Sequence, residues 1–297
     1  MIKRILIVGG NGFLGHNLAK KLSKLGYNLF LLCRKKNSKI KIIKDAKYIY
    51  CDISNKKRLF SKLNFEFSCV VNLSGNIDHQ NKDQTIKTHY FGLKNLVNGL
   101  KKSQTKLFIQ AGSSLEYGNL SSPQKEKKKC KPISSYGKAK YLATKFLLNK
   151  KRPFKIIILR PYQIYGPEQK KNRLTPMVID SCLRNKNFKC SEGYQKRDFL
   201  YVDDFTDLII KIIKKKKVIS GIYNVGSGTP ISVRTLINCI KKISKGGNPL
   251  FGSLKMRSDE ISTLFPDIKK IKSSFKWAPK VRILAGLKKT IKFYEKK

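Results

Sequence analysis

The chain has 297 residues, of which 65 are Lys or Arg and 18 are Asp or Glu, so its formal net charge is +47 at pH 7. That charge raises the question of nucleic-acid binding. The basic residues are mostly lysines spread along the chain beside many Ile and Asn residues, a composition that AT-rich codons produce, so we expect no specific nucleic-acid partner. No stretch approaches the ~20 apolar residues of a membrane span. The three His and seven Cys show no metal-ligand or paired spacing, so we predict no metal site, and the odd number of thiols favours a cytoplasmic location.

A glycine-rich segment follows the first apolar run of the chain. Ile5–Val8 is short, apolar and uninterrupted, which is typical of a buried parallel strand. Gly9, Gly12 and Gly15 come next, and leucines then recur every three or four residues up to Gly26, as in an amphipathic helix that ends at a glycine. This order of strand, glycine turn and helix predicts a dinucleotide site, because the free N–H groups and the dipole of a helix N-terminus hold a diphosphate.

Polar side chains further along the chain have the chemistry of a proton-transfer site. Tyr136 and Lys140 are four residues apart, so a helix places both on one face. A tyrosine titrates near pH ~10, and acid/base work at neutral pH needs its ionised form favoured by ~4 kcal/mol, part of which a neighbouring ammonium supplies. Ser113 and Ser114 follow the apolar residues 107–112, which predict a strand, and a hydroxyl at the carboxyl end of a parallel strand faces the ligand.

These motifs together resemble the extended short-chain dehydrogenase/reductase superfamily, the NAD(P)-dependent epimerases, dehydratases and reductases of nucleotide sugars. The Gly-x-x-Gly-x-x-Gly spacing is the form that this branch uses, and the segments 113–118, 197–204 and 223–228 match it further, so the resemblance covers nearly the whole chain. It implies a catalytic set of Ser113, Tyr136 and Lys140. Ser114 is the alternative to Ser113, and otherwise a substrate contact.

The resemblance also implies which residues bind the cofactor and the substrate. The cofactor would be NADP or NAD, and the substrate a nucleotide-diphosphate sugar. The expected cofactor contacts are Gly9, Asn11, Gly12, Phe13, Leu14, Gly15, Arg34, Asp52, Ile53, Leu73, Tyr136 and Lys140. Arg197 and Arg257 would contact the diphosphate of the substrate, a role that suits the guanidinium fork better than a lysine.

The choice between NADP and NAD depends on Arg34, which ends the second predicted strand, residues 28–33. NAD enzymes commonly place an acidic residue there to bind the adenosine ribose, whereas a cation suits the 2′-phosphate of NADP. We therefore prefer NADP slightly, and the abundance of Lys and Arg keeps NAD open. By the resemblance, Asp52 stands where an aspartate contacts the adenine.

The alternation of strands and helices up to about Gly166 predicts an α/β fold, a doubly wound parallel Rossmann sheet with a smaller C-terminal substrate-binding lobe. Residues 1–166 would form the NAD(P)-binding domain, to which residues 198–226 return, and residues 167–297 mainly the nucleotide-sugar lobe. The resemblance implies a homodimer, since the helices expected near residues 84–102 and 135–150 often pair across a two-fold axis in this superfamily.

Several reactions share this apparatus. Reduction of a nucleotide-linked 4-keto-6-deoxyhexose is the first expectation, because residues 113–118 and Arg34 resemble such reductases; a 4-epimerase of the UDP-glucose type is the alternative. A 4,6-dehydratase ranks third, since those enzymes carry acidic residues at the positions of Ser114 and Leu115. The high charge also allows a non-catalytic RNA- or cofactor-binding relative, against which the intact catalytic set argues. His89 departs from the family pattern, because an asparagine that helps order the proton relay is usual there.

Overall fold

The computed structural model describes residues 4–36, 41–75, 81–100, 104–256 and 260–296. Its strands are β1 (Arg4–Val8), β2 (Asn28–Cys33), β3 (Ala46–Tyr50), β4 (Cys69–Asn72), β5 (Leu107–Ala111), β6 (Lys155–Pro161), β7 (Gln163–Tyr165), β8 (Asn187–Lys189), β9 (Lys196–Tyr201), β10 (Gly221–Val225), β11 (Pro230–Ser232), β12 (Asn248–Leu250) and β13 (Thr263–Leu264). Its α-helices are α1 (Phe13–Lys24), α2 (Lys56–Lys62), α3 (Lys82–Ile86), α4 (Gly92–Gly99), α5 (Ser135–Leu148), α6 (Leu174–Leu183), α7 (Val202–Lys214), α8 (Val233–Ser244), α9 (Lys269–Phe275) and α10 (Ile283–Glu295).

The main sheet has seven strands in the order β10-β6-β5-β4-β1-β2-β3. The pairs among β1 to β6 are parallel, and Val8 of β1 lies opposite Leu32 of β2 on one side and Asn72 of β4 on the other. The chain runs outward from β1 to β3, then returns to β4 and runs outward through β5 to β6. The order therefore reverses between β1 and β4, and the carboxyl ends of strands at such a point form the ligand crevice of doubly wound sheets. The predicted Rossmann fold is confirmed.

Apolar strand residues on both faces of this sheet are buried, which explains the uninterrupted apolar runs of the sequence. Ile5–Val8 is fully buried, and the core cluster adds aromatic side chains such as Phe30, Phe67 and Phe108. The strands are therefore held rigidly between helices, and the loops at their carboxyl ends have a fixed base.

A π-helical segment, Lys87–Phe91, joins α3 to α4. The three pieces make one helical stretch, which begins at Asn81, whose side chain accepts a hydrogen bond from the backbone N–H of Gln84 at 2.9 Å. One extra residue in a turn changes the direction of the side chains that follow, and such segments occur frequently at functional sites. His89 lies in the middle of this one.

Contacts divide the chain into two compact units. The first contains residues 1–120, 126–161 and 206–224, and with them the Rossmann sheet. The second contains residues 121–125, 162–205 and 225–297; it has a small sheet, in which β9 pairs with β7, β11 and β13, and the helices α6, α8, α9 and α10. The functional division predicted above, with its boundary at residue 166 and its returning segment 198–226, stays a prediction.

No helix in the described ranges combines the length and the apolar character that a membrane crossing requires. Within the same ranges, no three His, Cys, Asp or Glu side chains come together in a way that could hold a metal ion.

Candidate active site

The glycine loop between β1 and α1 has a backbone that only glycine tolerates at two positions. Gly9 has a φ of +82°, and its N–H donates to the carbonyl oxygen of Leu32 at 2.8 Å. A Cβ at Gly15 would lie 2.2 Å from the carbonyl oxygen of Gly9, far inside van der Waals contact. The glycine loop and the first turn of α1 thus approach each other closely, in the order of strand, turn and helix that the sequence predicts.

The N-terminus of α1 has the features of an anion site. Gly12 occupies the N-cap in an extended conformation, and no side chain of the described residues caps the helix there. The first turn contains no acidic residue, and a Cβ at Gly12 would meet only the carbonyl oxygen of Gly9, at 3.2 Å. Backbone N–H groups at an uncapped helix start bind phosphate oxygens. The half-buried Phe13 and Leu14 form the beginning of this turn.

The other predicted cofactor contacts lie along the same edge of the sheet. Leu73 follows β4 and donates its N–H to the carbonyl oxygen of Val8 at 2.9 Å, which places it beside the glycine loop. The Asn11 side chain donates to the carbonyl oxygen of Lys35 at 2.7 Å and so connects the glycine loop to the end of β2. Arg34 is exposed at that end. These residues fit an extended dinucleotide that runs from the glycine loop across β2.

Asp52 and Ile53 follow β3. The Asp52 carboxylate accepts a hydrogen bond from the backbone N–H of Ser54 at 2.8 Å, which fixes the turn. Ile53 is buried against Gly92 of α4, where a Cβ would lie 2.6 Å from the isoleucine Cγ1. The contact of Asp52 with adenine and the contact of Ile53 with the cofactor stay predictions.

Ser113 and Ser114 lie just beyond β5, and both are buried. Ser113 is the N-cap of a 3-10 turn, Ser114–Glu116, and its Oγ accepts a hydrogen bond from the N–H of Leu115 at 3.1 Å. A hydroxyl that accepts one bond still has its proton to donate. The turn holds the Ser113 side chain in one orientation at the carboxyl end of β5.

Tyr136 and Lys140 lie on α5, one turn apart, as their spacing predicts. Ser134 caps this helix by accepting a hydrogen bond from the N–H of Gly137 at 3.1 Å. The Lys140 Nζ donates to the carbonyl oxygen of Ala111 at 2.7 Å and lies 5.7 Å from the centroid of the Tyr136 ring. Since Ala111 ends β5, two residues before Ser113, this bond ties α5 to the strand that carries the serines. The structure therefore brings the three predicted catalytic residues to one edge of one unit.

The ammonium of Lys140 is only 3% exposed. Burial lowers the pKa of Lys140 from its usual value of 10.5 to about 8, although the carboxylate of Glu116 acts in the opposite direction. Lys140 is therefore still mostly protonated at pH 7. A cation beside a phenol favours the phenolate, which is the electrostatic condition for the predicted proton transfer by Tyr136.

A buried carboxylate that the sequence analysis did not use in the site lies behind the serines. Glu116 is fully buried, and its carboxylate accepts hydrogen bonds from the N–H of Ser113 at 2.9 Å and from the Oγ1 of Thr144 at 2.8 Å. The guanidinium of Arg160, on β6, donates to it at 3.0 and 2.7 Å. In the sequence, the acidic residue between Leu115 and Tyr117 is the only sign of this arrangement.

His89 packs directly against the predicted catalytic tyrosine. Its ring is 4% exposed and meets the Tyr136 ring edge-on, with 5.0 Å between centroids and an interplanar angle of 88°. On another side, the histidine Cε1 would lie 3.0 Å from a Cβ at Gly75, in the loop after β4, so the ring packs tightly against this glycine. The side chain that replaces the family's asparagine thus lies at the tyrosine itself.

Arg197 and Arg257 are the two arginines predicted to contact the substrate. Arg197, on β9, is buried in the second unit, where its guanidinium pairs with Glu260 and donates to the carbonyl oxygen of Lys196 at 2.7 Å. Burial lowers the pKa of Arg197, against the opposing effect of Glu260. Arg257 lies outside the described residues. The contacts of both arginines with a diphosphate stay predictions.

Asp198, the neighbour of Arg197, connects two motifs that are far apart in the sequence. The Asp198 carboxylate accepts hydrogen bonds from the N–H groups of Ser227 at 2.7 Å and Gly228 at 2.6 Å. The segments 197–204 and 223–228 therefore meet through a carboxylate that organises the turn after β10.

Comparison with known proteins gives relatives over nearly the full length. A predicted UDP-glucose 4-epimerase of Methanocaldococcus jannaschii is 28% identical, with 97% of each chain covered. UDP-arabinose 4-epimerase 1 of Arabidopsis thaliana is 23% identical, over 94% of this chain and 76% of the relative. The crystal structure of UDP-glucose 4-epimerase with UDP-glucose from Thermotoga maritima superposes with a TM-score of 0.92 over 99% of both chains. At 24% sequence identity, this likeness shows that the two chains share a fold.

A family model settles the relationship. The model of the NAD dependent epimerase/dehydratase family matches residues 5–226, which include the glycine loop, the serines, Tyr136 and Lys140. The name of this family specifies NAD as the cofactor. The slight preference for NADP, which was based on Arg34, has no support in these comparisons. In a chain with 65 Lys and Arg residues, a basic residue at the end of a strand is weak evidence for a 2′-phosphate site, because such residues occur at many positions. With its Rossmann sheet, its glycine loop and its serine, tyrosine and lysine at one edge, the chain belongs to the NAD dependent epimerase/dehydratase family.

Proposed function

We propose that the protein is a nucleotide-sugar 4-epimerase, which inverts C4 of a UDP-hexose with NAD as its resident cofactor. The observation that carries the proposal is the bond of the Lys140 Nζ to the Ala111 carbonyl, because it joins the helix of Tyr136 to the strand of Ser113. The full-length epimerase relatives support the choice of reaction and of a UDP-linked substrate. The 4-ketoreductase that the sequence analysis ranked first becomes the second candidate.

The proposed roles follow from the chemistry of each side chain. Tyr136 accepts the proton of the C4 hydroxyl as the C4 hydrogen leaves with its electron pair, and it returns a proton to the same oxygen when a hydride comes back to the other face of the sugar. Bound NAD would accept that hydride and give it back. Lys140 holds the Tyr136 phenol near its ionised form by charge. Ser113 donates a hydrogen bond to the C4 oxygen while the charge on that oxygen changes, and it keeps its proton.

The serine turn disfavours a 4,6-dehydratase. Loss of water from a sugar needs an additional acid/base pair, and the positions that supply it in such enzymes hold Ser114 and Leu115 here. Glu116 is the nearest acid, but Ser113, Thr144 and Arg160 all donate to its carboxylate, and it is fully buried. No carboxylate on this turn is therefore available for general acid or base catalysis.

The second candidate, reduction of a nucleotide-linked 4-keto-6-deoxyhexose, is favoured by the resemblance of residues 113–118 and of the exposed Arg34 to such reductases. The two reactions differ in what they consume. An epimerase regenerates its cofactor in each turnover, whereas a reductase oxidises one equivalent of the reduced cofactor for each sugar.

The test uses the purified protein with UDP-glucose, UDP-galactose, UDP-arabinose and 4-keto-6-deoxy forms of GDP-, dTDP- and CDP-sugars. Absorbance at 340 nm follows NAD(P)H while chromatography identifies the sugars. Conversion of a UDP-sugar to its C4 epimer without net change of cofactor is the expected result. Stoichiometric oxidation of added NADH or NADPH with a 4-keto sugar would overturn the epimerase and establish the reductase. The Tyr136→Phe variant is the matched control, since it removes only the phenolic hydroxyl and leaves every other predicted binding residue in place.

The cofactor is tested at Arg34. If NAD is the resident cofactor, Arg34→Ala changes the affinity for NAD less than about threefold, because the exposed guanidinium has no phosphate to bind. A tighter binding of NADP than of NAD by the unaltered protein, lost on the same substitution, would contradict the proposal. Calorimetric titration of both cofactors measures this.

We propose that Arg197 and Arg257 bind the diphosphate, so that residues 167–297 mainly carry the substrate and residues 1–166, with 198–226, carry the cofactor. The net charge of +47 would also draw the anionic sugar nucleotide to the protein. Arg257→Ala should raise KM more than it lowers kcat, and the opposite pattern would remove Arg257 from substrate binding.

We further propose a homodimer formed through the face that α5 and the π-helical segment share. Large apolar side chains are exposed on these elements, namely Phe91, Leu142 and Leu148. Light scattering of the purified protein should give twice the mass of 34.0 kDa. A Leu142→Glu variant should give the monomer, and a monomeric unaltered protein would refute the proposal. The seven free thiols are the reason to propose a cytoplasmic location.

A further inference from the structure

Glu116 lies where three elements meet behind the predicted catalytic serine. It ends the 3-10 turn, it accepts from Thr144 of α5, and it receives two hydrogen bonds from Arg160 of β6. Its second oxygen accepts from the N–H of Ser113. Thr144 is four residues beyond Lys140, so the carboxylate touches the same face of α5 that carries the catalytic pair.

We propose that Glu116 is a positioning residue for the reaction, which fixes the backbone of Ser113 and places a negative charge against the face of α5 that carries Tyr136 and Lys140. This inference rests on the proposed function. Glu116 acts through Ser113 and Lys140 and takes no proton from the sugar.

The burial of this charge points to such a role. A buried ion pair gains little stability over apolar side chains of the same volume, because removing two charges from water costs about as much as their attraction returns. Glu116 is fully buried and Arg160 is 1% exposed. A pair that stability alone does not require has a use at this place, and its hydrogen bond from Thr144 puts the carboxylate against the face of α5 that carries Lys140.

The electrostatic surroundings of Lys140 show what the carboxylate does. Burial lowers the pKa of Lys140, and Glu116 is the group that raises it. The other titratable or charged groups described around them are Tyr136 on the same helix, His89 against the Tyr136 ring, Arg160, which pairs with Glu116, and Tyr117 and Cys130, which both interact with Arg160. Without the carboxylate, Lys140 loses its proton at lower pH, and the phenol of Tyr136 loses the cation that favours its ionised form.

Three variants separate charge from structure. Glu116→Gln keeps the shape and an acceptor for Ser113 but removes the charge. Because this leaves the Arg160 guanidinium buried and unpaired, and the variant is liable to unfold, the double variant Glu116→Gln with Arg160→Met removes both charges together. Thr144→Val is the matched control, since it deletes one hydrogen bond to Glu116 and leaves the charge in place.

The first measurement is the pH dependence of kcat/KM with the sugar that the panel identifies. In the variants that lack the carboxylate, we expect the alkaline limb to move to lower pH by about one pH unit, while Thr144→Val keeps the limb of the unaltered protein. A double variant that folds and keeps the unaltered limb would overturn the inference.

A second measurement needs no turnover. Ultraviolet titration of each protein minus its Tyr136→Phe counterpart isolates the ionisation of Tyr136, and loss of the carboxylate should raise that pKa by about one unit. An unchanged Tyr136 titration in the double variant refutes the role of Glu116. If the unaltered protein converts none of the sugars, the proposed function fails, and this titration still decides the role of Glu116 separately.

Discussion

Replacing Lys140 by methionine should stabilise the protein at neutral pH while abolishing turnover. The pKa of Lys140 falls from 10.5 to about 8 on burial. At about 1.4 kcal/mol for each tenfold change in proton affinity, keeping this side chain protonated in the folded state at pH 7 costs about 3 kcal/mol. The variant also loses the hydrogen bond from Nζ to the Ala111 carbonyl, at a cost of about 1 kcal/mol. The net gain in the free energy of unfolding is therefore about 2 kcal/mol at pH 7.

The sign of the pH dependence follows from the lowered pKa. Between pH 8 and 10.5 the unfolded chain binds the proton that the folded chain has released, so the stability of the unaltered protein rises with pH across this window. By pH 10 the cost of the buried ammonium is about 1 kcal/mol, and the advantage of Lys140→Met disappears.

Urea unfolding of both proteins at pH 7, 8, 9 and 10 measures the difference between their free energies of unfolding. The titration of all other groups contributes equally to both proteins and cancels in this difference. Lys138→Met, at an exposed position of the same helix, controls for the loss of one positive charge. A difference between Lys140→Met and the unaltered protein that stays constant from pH 7 to 10 would refute the reasoning, because Lys140 would then titrate alike in both states.

Two further predictions concern the cofactor loop and the proton transfer. Gly12→Ala should keep the melting temperature within a few degrees, because its Cβ meets one backbone oxygen at 3.2 Å, but it should weaken NAD binding at least tenfold, because that Cβ stands before the helix N-terminus. Gly15→Ala, whose Cβ would lie 2.2 Å from a backbone oxygen, should lower both the melting temperature and the affinity for NAD. Thermal melts and calorimetric titration with NAD distinguish the two variants. Tyr136→Phe should lower kcat about a thousandfold and Ser113→Ala about a hundredfold at unchanged NAD affinity, which steady-state kinetics and NAD titration check; a Tyr136→Phe enzyme of normal kcat would exclude the tyrosine from proton transfer.

Those parts of the site that depend on residues close together in the sequence were predictable from it. The strand before Gly9, the spacing to Gly15 and the helix after it are local patterns, and the structure has them where they were expected. The placement of Tyr136 and Lys140 on one helix face follows from a separation of four residues.

The tertiary structure alone decided which distant groups meet. Glu116 pairs with Arg160 from another strand, and His89 reaches the Tyr136 ring from a π-helical segment that no local pattern marks. Nor does the sequence show that Arg197 pairs with Glu260. Periodicity and glycine spacing constrain the backbone over a few residues, whereas the partner of a buried charge depends on how strands and helices pack. The sequence by itself therefore determined the fold and the identity of the candidate catalytic side chains, and the packing of the folded chain decided the electrostatic surroundings of those side chains.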